Sequence, residues 1–246
     1  ISQKQLANHL GIDKWAAVIG GSLGGMQALQ WAKDFPECVE HCVALASAPG
    51  LTAQNIAFNE IARHAILTDP EWHEGDYLNE DKTPARGVAL ARMVGHLTYM
   101  SADGMSDRFG REIKLDESAQ GDSSGRVFQV ESYLRHQGMQ FSRKFDANTY
   151  VLMTRALDFF DLAADHQGDL KSALSTVEAN ILLLSFSSDW RFPPHRSIEI
   201  RDALLATGKP VTYANIETDD GHDGFLLPNC HYQKLLYQWM KRVCPS

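Results

Sequence analysis

The chain has 246 residues, enough to bury one large α/β core or a core carrying an insertion. Its formal net charge of -8 argues against a surface built for nucleic acid or anionic lipid, and no apolar run approaches the roughly 20 residues that span a bilayer, so neither a nucleic-acid nor a membrane partner is expected. The four cysteines (Cys38, Cys42, Cys230 and Cys244) form no CxxC pair and read as reduced thiols of a cytoplasmic protein. Cys38, His41 and Cys42, placed on a predicted strand edge, lack the fourth ligand of a zinc site, so no metal is expected.

The chain opens in a predicted helix, Ile1 to Leu10, closed by Gly11. A start inside a helical pattern without an initiator methionine reads as a fragment or a processed product. The apolar run from Ala16 to Ile19 then meets Gly20-Gly21-Ser22-Leu23-Gly24-Gly25, and helix formers follow from Met26 to Ala32. This strand, Gly-x-Ser-x-Gly turn and helix are the setting in which a serine is held exposed at the end of a strand, with the first helix N–H groups aimed at developing negative charge. Glycines at 20, 21, 24 and 25 are expected where a side chain would collide in so tight a turn.

Asp34-Phe35-Pro36-Glu37 breaks the helix, and Val39 to Ala46 reads as a second buried strand, joined to the first by a parallel crossover. From Thr52 to about Glu178 the sheet signal stops and the pattern is helical, over Asn55–Leu67, Arg86–Met100, Val127–Phe141 and Ala147–Leu157, with Ser118 to Gly125 expected as a mobile loop. Strand character returns at Ile181 to Phe186, followed by a helix from His195 to Thr207, a strand from Val211 to Ile216, a polar loop from Glu217 to Gly224 and a helix from Tyr232 to Val243. The fold class is therefore α/β, a mostly parallel sheet in two stretches, 1–51 and 179–246, with residues 52–178 inserted as a helical lid over the carboxyl ends of the strands, where open α/β sheets bind ligands.

A serine hydroxyl is a weak nucleophile at neutral pH, so Ser22 needs a base and an acid that orients it. In such sheets they follow in the order Ser, Asp or Glu, His, each after a strand. Asp189 follows the strand 181–186, and His222 lies in the loop after the strand 211–216. Asp219, Asp220 and Asp223 also crowd His222, but Asp189 lies on a different strand end and is the better candidate to reach the far ring nitrogen. Leu23, immediately after the serine, is the expected oxyanion donor through its backbone N–H.

Four segments carry a family resemblance: Gly20 to Trp31, Ala91-Arg92-Met93-Val94-Gly95-His96-Leu97-Thr98-Tyr99, Phe145 to Tyr150, and Gly221-His222-Asp223-Gly224-Phe225-Leu226. Together they resemble the homoserine O-acyltransferases of the α/β-hydrolase superfamily, enzymes of methionine biosynthesis that move an acetyl or succinyl group from coenzyme A to homoserine. The resemblance implies Ser22 as nucleophile, His222 as base and Asp189 as orienting acid. It further implies that Arg92 binds the homoserine carboxylate, that Tyr99 lines the pocket and that Asp223 receives the substrate ammonium. Arg92 and Tyr99, seven positions apart, share one face of their predicted helix. Trp190-Arg191 resembles the succinyl-using branch, and a guanidinium at 191 suits the carboxylate of succinyl-coenzyme A better than the methyl of acetyl-coenzyme A.

The resemblance also implies a cytoplasmic homodimer that uses acyl-coenzyme A as a co-substrate and needs no cofactor. The family's N-terminal strands, with a loop that supplies one oxyanion donor, are expected to be absent from this chain. A serine ester hydrolase of the same fold and a non-catalytic α/β-hydrolase-like binding protein remain as alternatives, because a triad does not specify whether water or an alcohol takes the acyl group.

Overall fold

The computed structural model describes residues 2–79, 82–115 and 125–243. In chain order it forms helix α1 (Ser2–His9), strand β1 (Val18–Gly21), α2 (Leu23–Asp34), β2 (His41–Leu45), α3 (Ala53–Leu67), α4 (Ala85–Tyr99) and α5 (Ala102–Phe109). There follow β3 (Ile113–Leu115), β4 (Arg126–Phe128), α6 (Gln129–Ser142), α7 (Ala147–Asp158), α8 (Leu170–Leu174), β5 (Asn180–Phe186), α9 (Pro194–Ala206), β6 (Val211–Ile216) and α10 (Cys230–Val243). These elements group into two compact units, one of residues 1–50 with 160–246 and the other of residues 51–159.

The first unit is a four-stranded parallel sheet in the order β1-β2-β5-β6, in register through Val18 beside Cys42, Cys42 beside Ile181 and Ile181 beside Val211. Side chains alternate across a strand, so the sheet buries two different sets. Cys42, Ala44, Ile181 and Leu183 face Leu29 and Ala32 of α2 and Ile200 and Leu204 of α9, whereas Val43, Leu45, Leu182 and Leu184 face Trp239 of α10. A strand covered on both faces has no polar side to show, which is why the middle of β5, residues 181–184, reads as a continuous apolar run. Each of its buried leucines contributes roughly 1.5–3 kcal/mol.

Cys42 lies on β2, an interior strand rather than an edge, and Cys38 lies in the short 3-10 turn Pro36–Cys38. His41 turns its Nε2 to the carbonyl of Val243, 3.1 Å away.

The second unit is helical around Ala62 and Ile66 of α3, Val88 and Ala91 of α4, Ala147 of α7 and Tyr77. Its helix ends are capped by side chains that reach the unsatisfied first-turn N–H groups. Thr52 and Asn55 cap α3 reciprocally, Asp146 accepts from Thr149 N at 2.7 Å, and α4, which starts after a proline, has its Gly87 N–H taken by Asp69 at 2.7 Å.

The region between β2 and β5 is not purely helical: β3 and β4 pair antiparallel, so α6 starts at Gln129 and Val127 belongs to a strand. A three-residue strand is too short for alternation to be told from helical spacing. By its contacts the helical unit ends at Phe159 rather than at 178. Leu162, Leu174 and Val177 are buried in the core of the sheet unit, and Leu162 N donates to Pro49 O at 2.9 Å. Residues 118–124 of the tract expected as a mobile loop, and Cys244, lie outside the described residues.

Candidate active site

Ser22 stands between β1 and α2 with φ 55 and ψ -121, a conformation that costs a non-glycine residue about 1–3 kcal/mol and persists only where the surroundings hold it. Its N–H donates to Leu45 O at 2.8 Å, and its carbonyl accepts from Gly25 N at 3.0 Å, Met26 N at 3.1 Å and the Ser47 hydroxyl at 3.1 Å. Leu23, the first residue of α2, offers one of the N–H groups that a helix cannot satisfy internally.

Three of the four turn glycines are required by contact. A Cβ on Gly20 would lie 2.1 Å from the Gly24 backbone, one on Gly21 would lie 2.3 Å from the Phe225 ring, and one on Gly25 would lie 2.8 Å from Ser47. Gly24 is the exception: a Cβ there meets nothing within 4 Å, so the steric expectation does not hold at that position.

The hydroxyl of Ser22 is 2.9 Å from Nε2 of His222, and Nδ1 of His222 is 2.8 Å from Oδ2 of Asp189. A carboxylate oxygen accepts, so Nδ1 carries the proton and Nε2 is left to accept from the serine. Asp189 and His222 are 1% and 3% exposed, so the hydrogen bond between them is shielded from competing water. The second oxygen of Asp189 accepts from the N–H groups of Arg191 at 2.9 Å and Phe192 at 2.8 Å, which fixes the carboxylate plane.

The two loops that bear the acid and the histidine are tied together. Ser187 donates to Thr218 O and accepts from Thr218 N, at 3.1 and 3.0 Å, and Ser188 accepts from Gly221 N at 2.9 Å. The histidine ring sits between Phe192, 5.2 Å away by centroids, and Phe225, 5.6 Å away, both edge-on. Sequence reasoning missed these phenylalanines and serines. The signals for them were their positions beside the two triad residues and, for Phe225, its place in the segment that carries the family resemblance.

Asp223 follows His222 in the 3-10 turn Gly221–Phe225. Arg191 is 9% exposed, its guanidinium 5.8 Å from the centroid of the Phe192 ring. In the helical unit, Arg92 and Tyr99 share one face of α4, with the guanidinium carbon 5.7 Å from the tyrosine ring centroid. Among the described residues no group of three or more His, Cys, Asp or Glu is placed to hold a metal ion, and no helix is long and apolar enough to cross a membrane.

A parallel sheet with a strained serine after one strand and its hydrogen-bonded histidine and aspartate after two others defines the α/β-hydrolase class. The chain belongs to this family: the model for the alpha/beta hydrolase fold matches residues 2–227. More particularly, it is 57% identical over 242 residues to the homoserine O-succinyltransferase of Pseudomonas putida, covering 98% of this chain and 64% of that protein. The chain thus spans less than two thirds of the length of the curated relatives it matches.

Among solved structures, homoserine O-acetyltransferase from Bacillus anthracis superposes with a TM-score of 0.83 at 26% identity, covering 98% of this chain and 62% of that one. Esterase E22 superposes with a TM-score of 0.82, also at 26% identity, covering 98% and 64%.

Proposed function

We propose that this protein is a homoserine O-acyltransferase that carries a succinyl group from succinyl-coenzyme A to the hydroxyl of L-homoserine through an acyl-serine intermediate, in methionine biosynthesis. One observation carries the reading: the 57% identity over nearly the whole chain to a homoserine O-succinyltransferase, whereas the solved acetyltransferase and esterase are alike at 26% and do not separate transfer from hydrolysis. The reading includes a cytoplasmic homodimer that uses the acyl donor as co-substrate and no further cofactor.

In the first half-reaction His222 Nε2 takes the Ser22 proton as the serine oxygen attacks the thioester carbonyl. Asp189 holds the imidazole in that tautomer and stabilises the imidazolium that forms. The Leu23 N–H donates to the oxyanion, and coenzyme A leaves as the thiol with the proton from His222. In the second half-reaction His222 takes the proton of the homoserine hydroxyl, whose oxygen displaces Ser22 from the acyl group, and His222 returns that proton to the leaving Ser22 oxygen. Arg92 pairs with the acceptor's carboxylate and Asp223 with its ammonium, opposite charges matched to an amino acid. Arg191 binds the far carboxylate of the succinyl group, for which a planar guanidinium offers two parallel hydrogen bonds.

Mass spectrometry after incubation with succinyl- and acetyl-coenzyme A separately tests this. The expected result is an acyl adduct on Ser22, formed faster with the succinyl donor and discharged by homoserine much faster than by water. An adduct that water discharges as fast as homoserine assigns the protein to the ester hydrolases, and no adduct with either donor overturns the acyl-serine route.

A further inference from the structure

Within the helical unit the guanidinium of Arg92 lies within cation–π reach of two rings. Its central carbon is 4.6 Å from the centroid of Phe141 on α6 and 5.7 Å from that of Tyr99 on its own helix. Each ring is backed in turn. Phe145 stacks on Phe141 at 4.7 Å and 18°, with Tyr150 edge-on at 6.2 Å. Behind Tyr99 stands His96, edge-on at 6.1 Å and tied through Nδ1 to the Tyr133 hydroxyl at 3.1 Å. Tyr99 reaches its place by folding back over Gly95: a Cβ on that glycine would lie 3.2 Å from the tyrosine oxygen and 3.3 Å from the ring. Any other residue at 95 would press the ring outward by a few tenths of an ångström.

A guanidinium attracted by ring faces keeps its N–H edge available, and that edge is the part that pairs with a carboxylate in two parallel bonds. The rings also restrict the rotamers of a long side chain that would otherwise lose its freedom only on binding.

We propose that Phe141 and Gly95 are positioning residues for the amino-acid acceptor: the first forms one jaw of an aromatic clamp on Arg92, and the second leaves room for Tyr99, the other jaw. The proposal rests on the reading in which Arg92 takes the homoserine carboxylate.

Steady-state kinetics with homoserine varied, set beside the rate of thiol release from acyl-coenzyme A alone, test the clamp. Phe141→Leu is expected to raise KM for homoserine roughly five- to tenfold, the size of a partly desolvated cation–π contact, while thiol release stays within about twofold. Phe141→Trp should restore KM, and Arg92→Ala with Phe141→Leu should be no worse than Arg92→Ala alone, because the clamp acts through the arginine. Gly95→Ala should raise KM in the same direction by a smaller factor, and it keeps the test open if Phe141→Leu does not fold.

A normal KM in Phe141→Leu, or in Gly95→Ala if the first is unfolded, beside a damaged Arg92→Ala overturns the clamp and leaves the acceptor role of Arg92 standing. A normal KM in Arg92→Ala overturns both. Equal losses in thiol release and homoserine use, unrescued by tryptophan, assign Phe141 a structural role and overturn the clamp.

Discussion

Gly21 and the ring of Phe225 occupy one contact: a Cβ at 21 would lie 2.3 Å from Phe225 Cε2. The same ring packs edge-on against His222 at 5.6 Å, so the turn that presents the serine and the loop that presents the base are fitted to each other through one phenylalanine.

Gly21→Ala is therefore expected to displace Phe225 and loosen the histidine without touching the hydrogen-bonding groups. The expected loss in acyl transfer is about tenfold or more, since ångström-scale misplacement of reacting groups costs on the order of 10²-fold. Labelling of Ser22 by a fluorophosphonate reads the effect directly, and a wild-type labelling rate would show that the ring does not set the histidine.

Ser22→Ala should abolish transfer, by roughly 10⁴-fold or more, because nucleophile, base and acid act as a unit. Removing the hydroxyl relieves no core contact, so the melting temperature should hardly move. Asp189→Asn should cost about as much while leaving the ring in place, because an amide that donates to Nδ1 enforces the wrong tautomer. Near-normal turnover in either variant would remove that residue from the mechanism.

The unaltered protein is expected to prefer succinyl- over acetyl-coenzyme A by at least about tenfold, equivalent to roughly 1.4 kcal/mol at the transition state, and Arg191→Leu is expected to erode that preference. Values of kcat/KM for the two donors, measured side by side in both proteins, check this. Equal values in the unaltered protein would sink the succinyl assignment and leave acyl transfer to homoserine intact.

His96 makes stability depend on pH. Burial first, then the charges of Arg92 on its own helix and Arg108 on α5, pull its pKa from 6.5 down to about 4; Tyr99 and Tyr133 are the other titratable groups packed on it. The unfolded chain therefore binds a proton that the folded chain does not between those two values. Stability from the neutral imidazole is complete above about pH 6.5 and declines as pH falls toward 4. Melting temperatures from pH 7 to 4.5 should fall less steeply in His96→Gln than in the unaltered protein; parallel slopes would show that His96 is not the group responsible.

Much of this architecture was legible along the chain because it depends on local physics. The apolar run of β5, the glycine turn around Ser22 and the order of Ser22, Asp189 and His222 each follow from residue type and spacing, and the family resemblance rests on contiguous segments. What the chain could not display were relations between residues far apart in number. Strand order favoured Asp189 over Asp219, Asp220 and Asp223 as the histidine's partner, but only folding set its Oδ2 at 2.8 Å from Nδ1. Gly24 looked as necessary as Gly21, yet only Gly21 has a ring pressed against it, from a residue about two hundred positions away. Arg92 and Tyr99 could be put on one helical face by counting turns, whereas Phe141 enters from another helix and is invisible to any periodicity. The sequence by itself determined which elements form and where a reactive serine stands. Tertiary structure decided the distances and tautomer within the triad and which rings lie beside the arginine, because packing and hydrogen bonding act through distance in space, to which spacing along the chain is blind.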